Sequence, residues 1–404
     1  MTKSLVKWTL LSVTVGILAG GAAFCFFKAI GWAIDFRKTH SWIVVFLPVI
    51  GVLVAWFYNR YGLTVDGGNN LILDEIHEPR EHIPFRIVPM IFISTVVSHL
   101  FGASVGREGA AVQMGSGISD QFSKFAGTFF DNRRIVLMVG MSAGFAAIFG
   151  TPLAGAVFGI EILLLSSVNF EALFPCLVAA FVGDYTTHIL GIVHFNYKPL
   201  IHIPPFSIPS LFSAIVAGVI FGLVAKFFVW SLHALKDFFK NKIPNSLYRP
   251  FLGGMIVVLF FTLFGSDRYQ SLGEDIIHAT FLERVHPYDF LGKIFMTVTS
   301  VGSGFRGGEV TSLFYIGATL GNALSLILPL AFPLLSALGF VAVFAGASNT
   351  PISCLFLSMS LFGSDIGAYA AITIGLSYLF SGHNGIYRSD RQHRLKKIFV
   401  NRYN

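Results

Sequence analysis

A succession of apolar segments runs from residue 8 to residue 380, separated by breaks rich in Gly, Pro and Asn. Many are shorter than the roughly 20 residues that a helix needs to cross a hydrocarbon layer. Backbone that leaves a helix inside a bilayer must be buried in protein or line a polar cavity. The pattern therefore predicts broken helices that meet inside a membrane. The segments are 8–27, 42–57, 87–100, 135–149, 153–165, 174–190, 211–230, 251–264, 290–301, 313–332, 338–344, 352–361 and 366–380.

Composition excludes the main soluble classes. Of the 404 residues, 54% are hydrophobic and only 12% are charged, against roughly 25% charged in an ordinary soluble domain. A soluble enzyme, a disordered protein and a nucleic-acid-binding protein are therefore all poor fits. The length leaves room for on the order of ten helical crossings. We predict an all-α, polytopic membrane protein.

The net charge of +7 reflects basic residues near the two ends rather than a nucleic-acid partner. Lys3 and Lys7 precede the first apolar segment, which is longer than a signal-peptide core and is expected to be a retained span. By the positive-inside rule, both termini are expected in the cytoplasm, in a protein of the cell (inner) membrane. Basic residues near the C-terminal end include Arg388, Arg391, Arg394, Lys396 and Lys397.

The two halves of the chain resemble each other. The Phe-Ala pair at 145–146 recurs at 344–345, and the Thr-Pro pair at 151–152 recurs at 350–351, with the same offset along the chain. Arg107 and Arg306 are separated by that offset as well. Internal duplication with interrupted helices is typical of transporters with a site at the membrane midplane. We expect two inverted-topology membrane repeats, 1–200 and 201–404, with no soluble regulatory domain.

Four polar patches interrupt this apolar sequence, at 66–72, 106–109, 306–311 and 381–387. Three of them place glycines just before an expected helix start. Free N–H groups and the positive end of the helix dipole attract anions there without a full cationic charge. Weak binding matters because a conducted ion must also leave. These patches predict a partly dehydrated anion site.

Glu108, in the second patch, is the first functional candidate, because a carboxylate at membrane depth costs free energy and is usually functional. At a helix start its negative charge can occupy the anion site, and protonation would vacate that site. The alternative is a salt bridge with Arg107, which the divergent directions of helix neighbours disfavour. For Glu309, the sequence favours neither a structural nor a functional role. Glu161 fits a structural or interfacial carboxylate better, and Tyr387 could be an interfacial tyrosine.

Other motifs carry little weight. The G-x-S-x-G match at 140–144 requires a strand–turn–helix context but lies in an apolar helix, where Gly140 and Gly144 fit a packing face. His77 and His82 have the wrong spacing for a shared metal, and Cys25, Cys176 and Cys354 lie singly in apolar runs. No enzyme activity, metal or cofactor is expected.

The patches resemble those of CLC chloride channels and transporters. Gly106-Arg107-Glu108-Gly109 is similar to the family's anion-pore motif, and 147–155 is similar to its AxFxxPLAG segment. The resemblance extends from about residue 8 to residue 387. It implies the CLC fold, with two inverted halves, and a homodimer in which each subunit has its own pathway through the lipid bilayer.

Departures from the chloride-type pattern resemble the fluoride-exporting CLC-F branch. Asn69 and Asn70 stand in the first filter segment, where chloride-type members carry a serine. Gly307, Glu309 and Thr311 match the GxExT pattern of the branch, whereas Ser312 and Ala110 differ from its usual Pro and Thr. Ile162 occupies the place of the internal glutamate of chloride/proton exchangers, which the fluoride branch lacks.

This resemblance implies export of fluoride in exchange for protons. Glu108 corresponds to the gating and proton-transferring glutamate. The implied anion-binding or filter residues are Asn69, Asn70, Gly106, Arg107, Gly109 and Tyr387, and those of the inner pathway are Glu309, Val310 and Thr311. Alternatives within the family are a chloride/proton exchanger and a passive anion channel. An intramembrane enzyme using Ser142 or the His77/His82 pair is a remote one.

Overall fold

The computed structural model describes residues 2–62, 65–125, 132–162, 170–195, 197–265 and 267–387. Within these residues the chain forms sixteen α-helices with a few short 3₁₀ turns and no strand, so the predicted all-α architecture is confirmed. The first eight are α1 Thr2–Thr39, α2 Leu47–Tyr61, α3 Asn69–His77, α4 Ile87–Leu100, α5 Glu108–Phe125, α6 Arg133–Phe149, α7 Pro152–Glu161 and α8 Leu173–Ile189. The second eight are α9 Ile208–Lys242, α10 Tyr248–Phe264, α11 Glu274–Leu282, α12 Asp289–Ser303, α13 Val310–Leu324, α14 Phe332–Ser348, α15 Pro351–Phe362 and α16 Gly367–Phe380.

Helices of the two sets correspond in order and character. Each set opens with a helix of 35 or more residues, α1 and α9, and has a nine-residue third member, α3 and α11. The seventh members, α7 and α15, both begin with a proline after a threonine. Proline suits this first position because its missing N–H would be unpaired there in any case.

Only some helices are long enough to cross a bilayer alone. Among the described residues, Leu5–Thr39, Ser41–Tyr61 and Ile208–Lys242 have the required length and hydropathy, whereas several other apolar helices have 10–17 residues. Large apolar side chains such as Trp42, Trp56 and Trp230 are more than half exposed on α2, its preceding turn and α9. An apolar exterior around short inner helices is the polytopic membrane architecture predicted above.

The centre of the molecule is formed by α5, α6, α13 and α14, whose described side chains are almost all buried. Glycines bring these helices together. A Cβ atom on Gly140 would lie 2.4 Å from the carbonyl oxygen of Gly115, and one on Gly317 would lie 2.0 Å from that of Gly339. The G-x-S-x-G segment is therefore part of a close α5–α6 contact, as expected for small-residue packing in membranes.

Gly140→Ala is expected to lower the free energy of unfolding by about 1–3 kcal/mol, because overpacking a close contact forces backbone shifts. Thermal unfolding in detergent, followed by tryptophan fluorescence, measures this effect. Gly31→Ala is the control, since nothing lies within 4 Å of a Cβ atom at that α1 position. Equal midpoints for the two variants would contradict the packing role of Gly140.

Candidate functional site

Two of the polar patches meet through their backbones. The N–H of Gly106 donates to the carbonyl of Gly308 at 2.5 Å, and the N–H of Gly308 donates back to Gly106 at 2.7 Å. Gly307 has φ +147°, and a Cβ atom there would lie 2.6 Å from Val105, which explains the glycine at this position. Since α5 and α13 begin two residues after the paired glycines, the bridge brings two helix N-termini together.

The carboxylate of Glu108 lies at the N-terminus of α13. The Thr311 N–H donates to Glu108 Oε2 at 3.1 Å, and the Thr311 hydroxyl lies 2.6 Å from Oε1 and 2.5 Å from Oε2. The backbone N–H of Arg107 also donates to Oε2, at 3.1 Å. Glu108 is only 2% exposed. Its carboxylate thus occupies a set of donors of the kind that binds anions at helix starts.

Arg107 contacts a different carboxylate more closely than that of its neighbour. Its Nη2 lies 2.8 Å from Glu274 Oε1, whereas its Nε lies 3.9 Å from Glu108 Oε1. The guanidinium also covers the ring of Phe27 at 4.1 Å. The main partner of Arg107 is therefore Glu274, in agreement with the weak local pairing expected for adjacent helical residues.

Asn69 is the first residue of α3, after Gly68 at φ +57°. Its amide packs against Gly109, where a Cβ atom would lie 2.8 Å from Asn69 Nδ2. Asn69 Oδ1 is buried and has no hydrogen-bond partner among the described residues. The first patch thus joins the second, and Asn70 lies beside it on the wall of the same cavity.

An ion-pair network anchors the other end of α3. Arg133, at the start of α6, contacts Glu75 of α3 at 2.7 Å and Asp120 of α5 at 2.7 Å. Asp120 also accepts the N–H of Ile83 at 2.7 Å. This network holds the C-terminal part of α3 against α5 and α6.

The third and fourth patches complete the surroundings. Glu309 immediately precedes α13, with its Oε1 3.6 Å from Lys236 Nζ of α9. Val310, the first residue of α13, is buried. Tyr387 lines the cavity that Asn69 and Glu309 share, and the adjacent Ile386 N–H donates to the Ala347 carbonyl of α14 at 2.8 Å.

Two separate cavities reach this region. One, of about 550 Å³, is lined by Asn69, Asn70, Lys236, Arg306, Glu309 and Tyr387, among others. The second, of about 520 Å³, is lined by Arg107, Glu108, Thr311, His194, Glu274 and His278, among others. No lining residue is common to both cavities. Gly307, beside the Gly106–Gly308 bridge, lines the first, and Glu108 and Thr311 line the second, so the contact and the bridge lie between them.

Glu161 has a different environment. It is buried, and its two oxygens accept the N–H groups of Ile352 at 2.7 Å and Ser353 at 2.6 Å, at the start of α15. It therefore caps a helix of the other set, which agrees with the structural interpretation. Ile162, the next residue, carries no titratable group.

The two histidines of the discounted motifs have local hydrogen-bond partners, and the serine is packed between helices. His77 Nδ1 lies 2.7 Å from the Leu73 carbonyl, and His82 Nδ1 lies 3.1 Å from the Ser123 hydroxyl. Ser142 Oγ is buried where α6 meets α7, 2.2 Å from a Cβ atom placed on Gly159. Within the described parts of the chain, no three His, Cys, Asp or Glu side chains are grouped as metal ligands.

Sequence reasoning missed Glu274 and Lys236, the charged partners of Arg107 and Glu309. Both lie far along the chain from those partners, and neither belongs to a polar patch. Their only signal is a charge at the end of an apolar helix or just after a loop. Such charges are common at membrane interfaces.

Broken helices whose N-termini meet between two cavities define a membrane transporter or channel, and the comparisons with known proteins make this class specific. The model of the voltage-gated chloride channel family matches residues 50–382. The chain belongs to this family, whose members are the CLC channels and transporters.

Relatives within the family differ in their ions. The "chloride/fluoride channel protein" of Pseudomonas syringae pv. tomato is 47% identical, over 96% of this chain and 87% of its own. The H(+)/Cl(−) exchange transporter ClcA of Vibrio cholerae is 25% identical, over 87% of this chain and 81% of its own. The crystal structure of a CLC-type fluoride/proton antiporter matches with a TM-score of 0.92 and 35% identity, covering 95% of this chain and 97% of that one. A cyanobacterial Cl−/H+ antiporter, at 19% identity and a TM-score of 0.83, shows the shared fold.

Proposed function

We propose that this protein exports cytoplasmic fluoride in exchange for protons and is not an enzyme. The proposal rests chiefly on the Glu108 carboxylate, which occupies the Thr311 donors at the start of α13 between two cavities. A small anion that displaced Glu108 would find the same donors. Because a carboxylate leaves such donors more readily when it is protonated, Glu108 can link anion entry to proton transfer.

The choice of fluoride rests on the residues around that contact. Fluoride holds its water strongly, so a site must supply strong donors in place of the lost hydration. Asn69 offers two N–H donors, whereas a serine would offer one hydroxyl. The Gly307-x-Glu309-x-Thr311 pattern, the 35% identical fluoride/proton antiporter structure and the 47% identical chloride/fluoride channel protein support the same ion.

Each candidate residue has a proposed role. Glu108 is the gate and the proton carrier. Residues of the first, second and fourth polar patches form the anion path, and the residues at the start of α13 form the inner pathway. The anion path comprises Asn69, Asn70, Gly106, Arg107, Gly109 and Tyr387, and the inner pathway comprises Glu309, Val310 and Thr311.

In the proposed exchange cycle, Glu108 starts ionised and hydrogen-bonded to Thr311, the contact that the structure contains. A proton from one cavity neutralises Glu108, which then leaves the donors. Fluoride from the other cavity takes the Thr311 N–H and hydroxyl in its place. When Glu108 returns to these donors, it expels the fluoride into the cavity from which the proton came and releases the proton into the other cavity, so the two ions move in opposite directions.

Assembly and topology follow the family. We propose a homodimer in the cell membrane with one pathway per subunit. We also propose that 1–200 and 201–404 form the two inverted repeats, since α1–α8 and α9–α16 correspond in order. Both termini are placed in the cytoplasm. The C-terminal basic residues behind that assignment, including Arg388 and Lys397, lie outside the described residues.

Reconstituted protein in fluoride-loaded liposomes tests this function. A fluoride electrode should record efflux while external pH rises, and a fluoride gradient alone should drive protons inward. Chloride-preferring efflux with proton movement would identify a chloride exchanger, and fluoride efflux without protons a passive channel. Ser142→Ala should leave fluoride transport intact, whereas an intramembrane enzyme dependent on Ser142 would lose its activity.

A further inference from the structure

Arg107 lies between two carboxylates, and only one of them is in hydrogen-bond contact with its guanidinium. The Nη2–Oε1 distance to Glu274 is 2.8 Å, and the Nε–Oε1 distance to Glu108 is 3.9 Å. Arg107 Nε is buried and has no hydrogen-bond partner among the described residues. The donor that faces Glu108 is thus unused, although the two groups are one residue apart.

The guanidinium is held in this position from a second side. It covers the ring of Phe27 of α1 at 4.1 Å, a cation–π contact. Its side chain is only 13% exposed. Phe27 and Glu274 therefore constrain Arg107 together, and both line the cavity that Glu108 borders.

The backbone at Glu274 is held by the loop before it, whereas its side chain is 41% exposed. It is the first residue of α11 and follows Gly273 at φ +71°. The preceding loop is tied down by the fully buried Lys293, whose Nζ donates to the carbonyls of Tyr269 at 3.2 Å and Ser271 at 2.6 Å. His99 Nδ1 lies 2.6 Å from the Ser271 hydroxyl on the same loop. These hydrogen bonds hold the backbone that leads into Glu274.

We propose that Glu274 is a positioning residue that holds Arg107 away from Glu108, so that Glu108 remains free to take up a proton. An Arg107 guanidinium fully paired with Glu108 would favour the ionised carboxylate and keep the gate closed. By supplying a competing carboxylate, Glu274 prevents this pairing. The inference rests on the proposed function, in which protonation of Glu108 opens the site.

Other titratable groups face the same contact. On the Glu108 side they are His194, Tyr197 and His278, and on the other side Glu309 and Tyr387. Burial in the α8–α9 connection, with a smaller contribution from Arg107, lowers the pKa of His194 to about 4. His194 is therefore neutral above about pH 5 and does not account for a pH dependence near neutrality.

Glu274→Gln tests the inference by removing the competing charge with little change in shape. The midpoint of the pH dependence of fluoride-driven proton uptake is expected to move toward acid by about 1 unit, because Arg107 then stabilises ionised Glu108. Asp275→Asn is the matched control, since Asp275 pairs with Lys38 at 2.5 Å rather than with Arg107. Its midpoint should equal that of the unmodified protein.

A second measurement does not depend on transport. Infrared difference spectra of the detergent-solubilised protein titrate the carboxylic C=O band that is lost in Glu108→Gln, and Glu274→Gln should move that titration toward acid as well. Phe27→Leu should move it in the same direction by less. An unchanged Glu108 band in Glu274→Gln, or equal shifts in Glu274→Gln and Asp275→Asn, would overturn the inference. If the band shifts while the unmodified protein moves no fluoride against protons, the proposed function fails instead.

Discussion

Glu108→Ala protein in liposomes is expected to carry fluoride without carrying protons. Alanine leaves the Thr311 N–H and hydroxyl in place but removes the carboxylate that occupies them at 2.5–3.1 Å. Fluoride can then reach these donors without competition, and no group at the contact binds a proton in exchange. Proton uptake driven by a fluoride gradient should fall to the level of protein-free liposomes, as measured by external pH alongside a fluoride electrode.

Glu161→Gln is the appropriate control for this experiment. Glu161 is also a buried carboxylate that accepts two backbone N–H groups at a helix start. It is not among the residues that line either of the two cavities. Its replacement should reduce stability modestly and leave coupling intact. Coupled proton uptake that persists in Glu108→Ala, or is lost equally in Glu161→Gln, would contradict the gating role of Glu108.

Much of this architecture could be predicted because breaks between apolar helices are easy to recognise in the sequence of a membrane protein. Short apolar segments, glycines before helix starts and a repeated Thr-Pro pair are local signals. They correctly predicted an all-helical membrane protein and pointed to the starts of α5 and α13. A carboxylate such as Glu108 stands out in an apolar region because few charges are tolerated there.

Contacts between distant segments could not be predicted in the same way. The reciprocal hydrogen bonds of Gly106 and Gly308 join residues from different halves of the chain. Likewise, the approach of Glu274 to Arg107 depends on a loop held by Lys293. Each depends on how several helices pack together, which no single segment encodes.

Lys236 offers a physical account of Glu309, which the sequence left without one. An ionised carboxylate on the wall of an anion pathway repels the ion that it should admit. The ammonium of Lys236, 3.6 Å from Glu309 Oε1, offsets much of that charge at the cavity wall. We propose that this pairing lets Glu309 lie beside the proposed path without excluding anions from it.

Asn69→Ser is expected to reduce the preference for fluoride over chloride by at least about tenfold. The Asn69 amide packs against Gly109, one residue from Glu108, so the substitution replaces two N–H donors near the ion with one hydroxyl. Hydrogen bonds to charged groups are worth about 1.5–3 kcal/mol each, and about 1.4 kcal/mol corresponds to a factor of ten. Fluoride loses more than chloride, because fluoride gives up the more strongly held water when it enters.

Initial efflux rates of the two halides from separately loaded liposomes measure this preference. Asn59→Ser is the matched control, because Asn59 lines the same cavity but donates to Ser246 at 2.7 Å, outside the four patches. Its preference should equal that of the unmodified protein. Asn70→Ser distinguishes the two adjacent amides. If Asn70→Ser abolishes the preference while Asn69→Ser preserves it, the Asn70 amide selects the ion. The packing of Asn69 against Gly109 would then not supply a donor to fluoride.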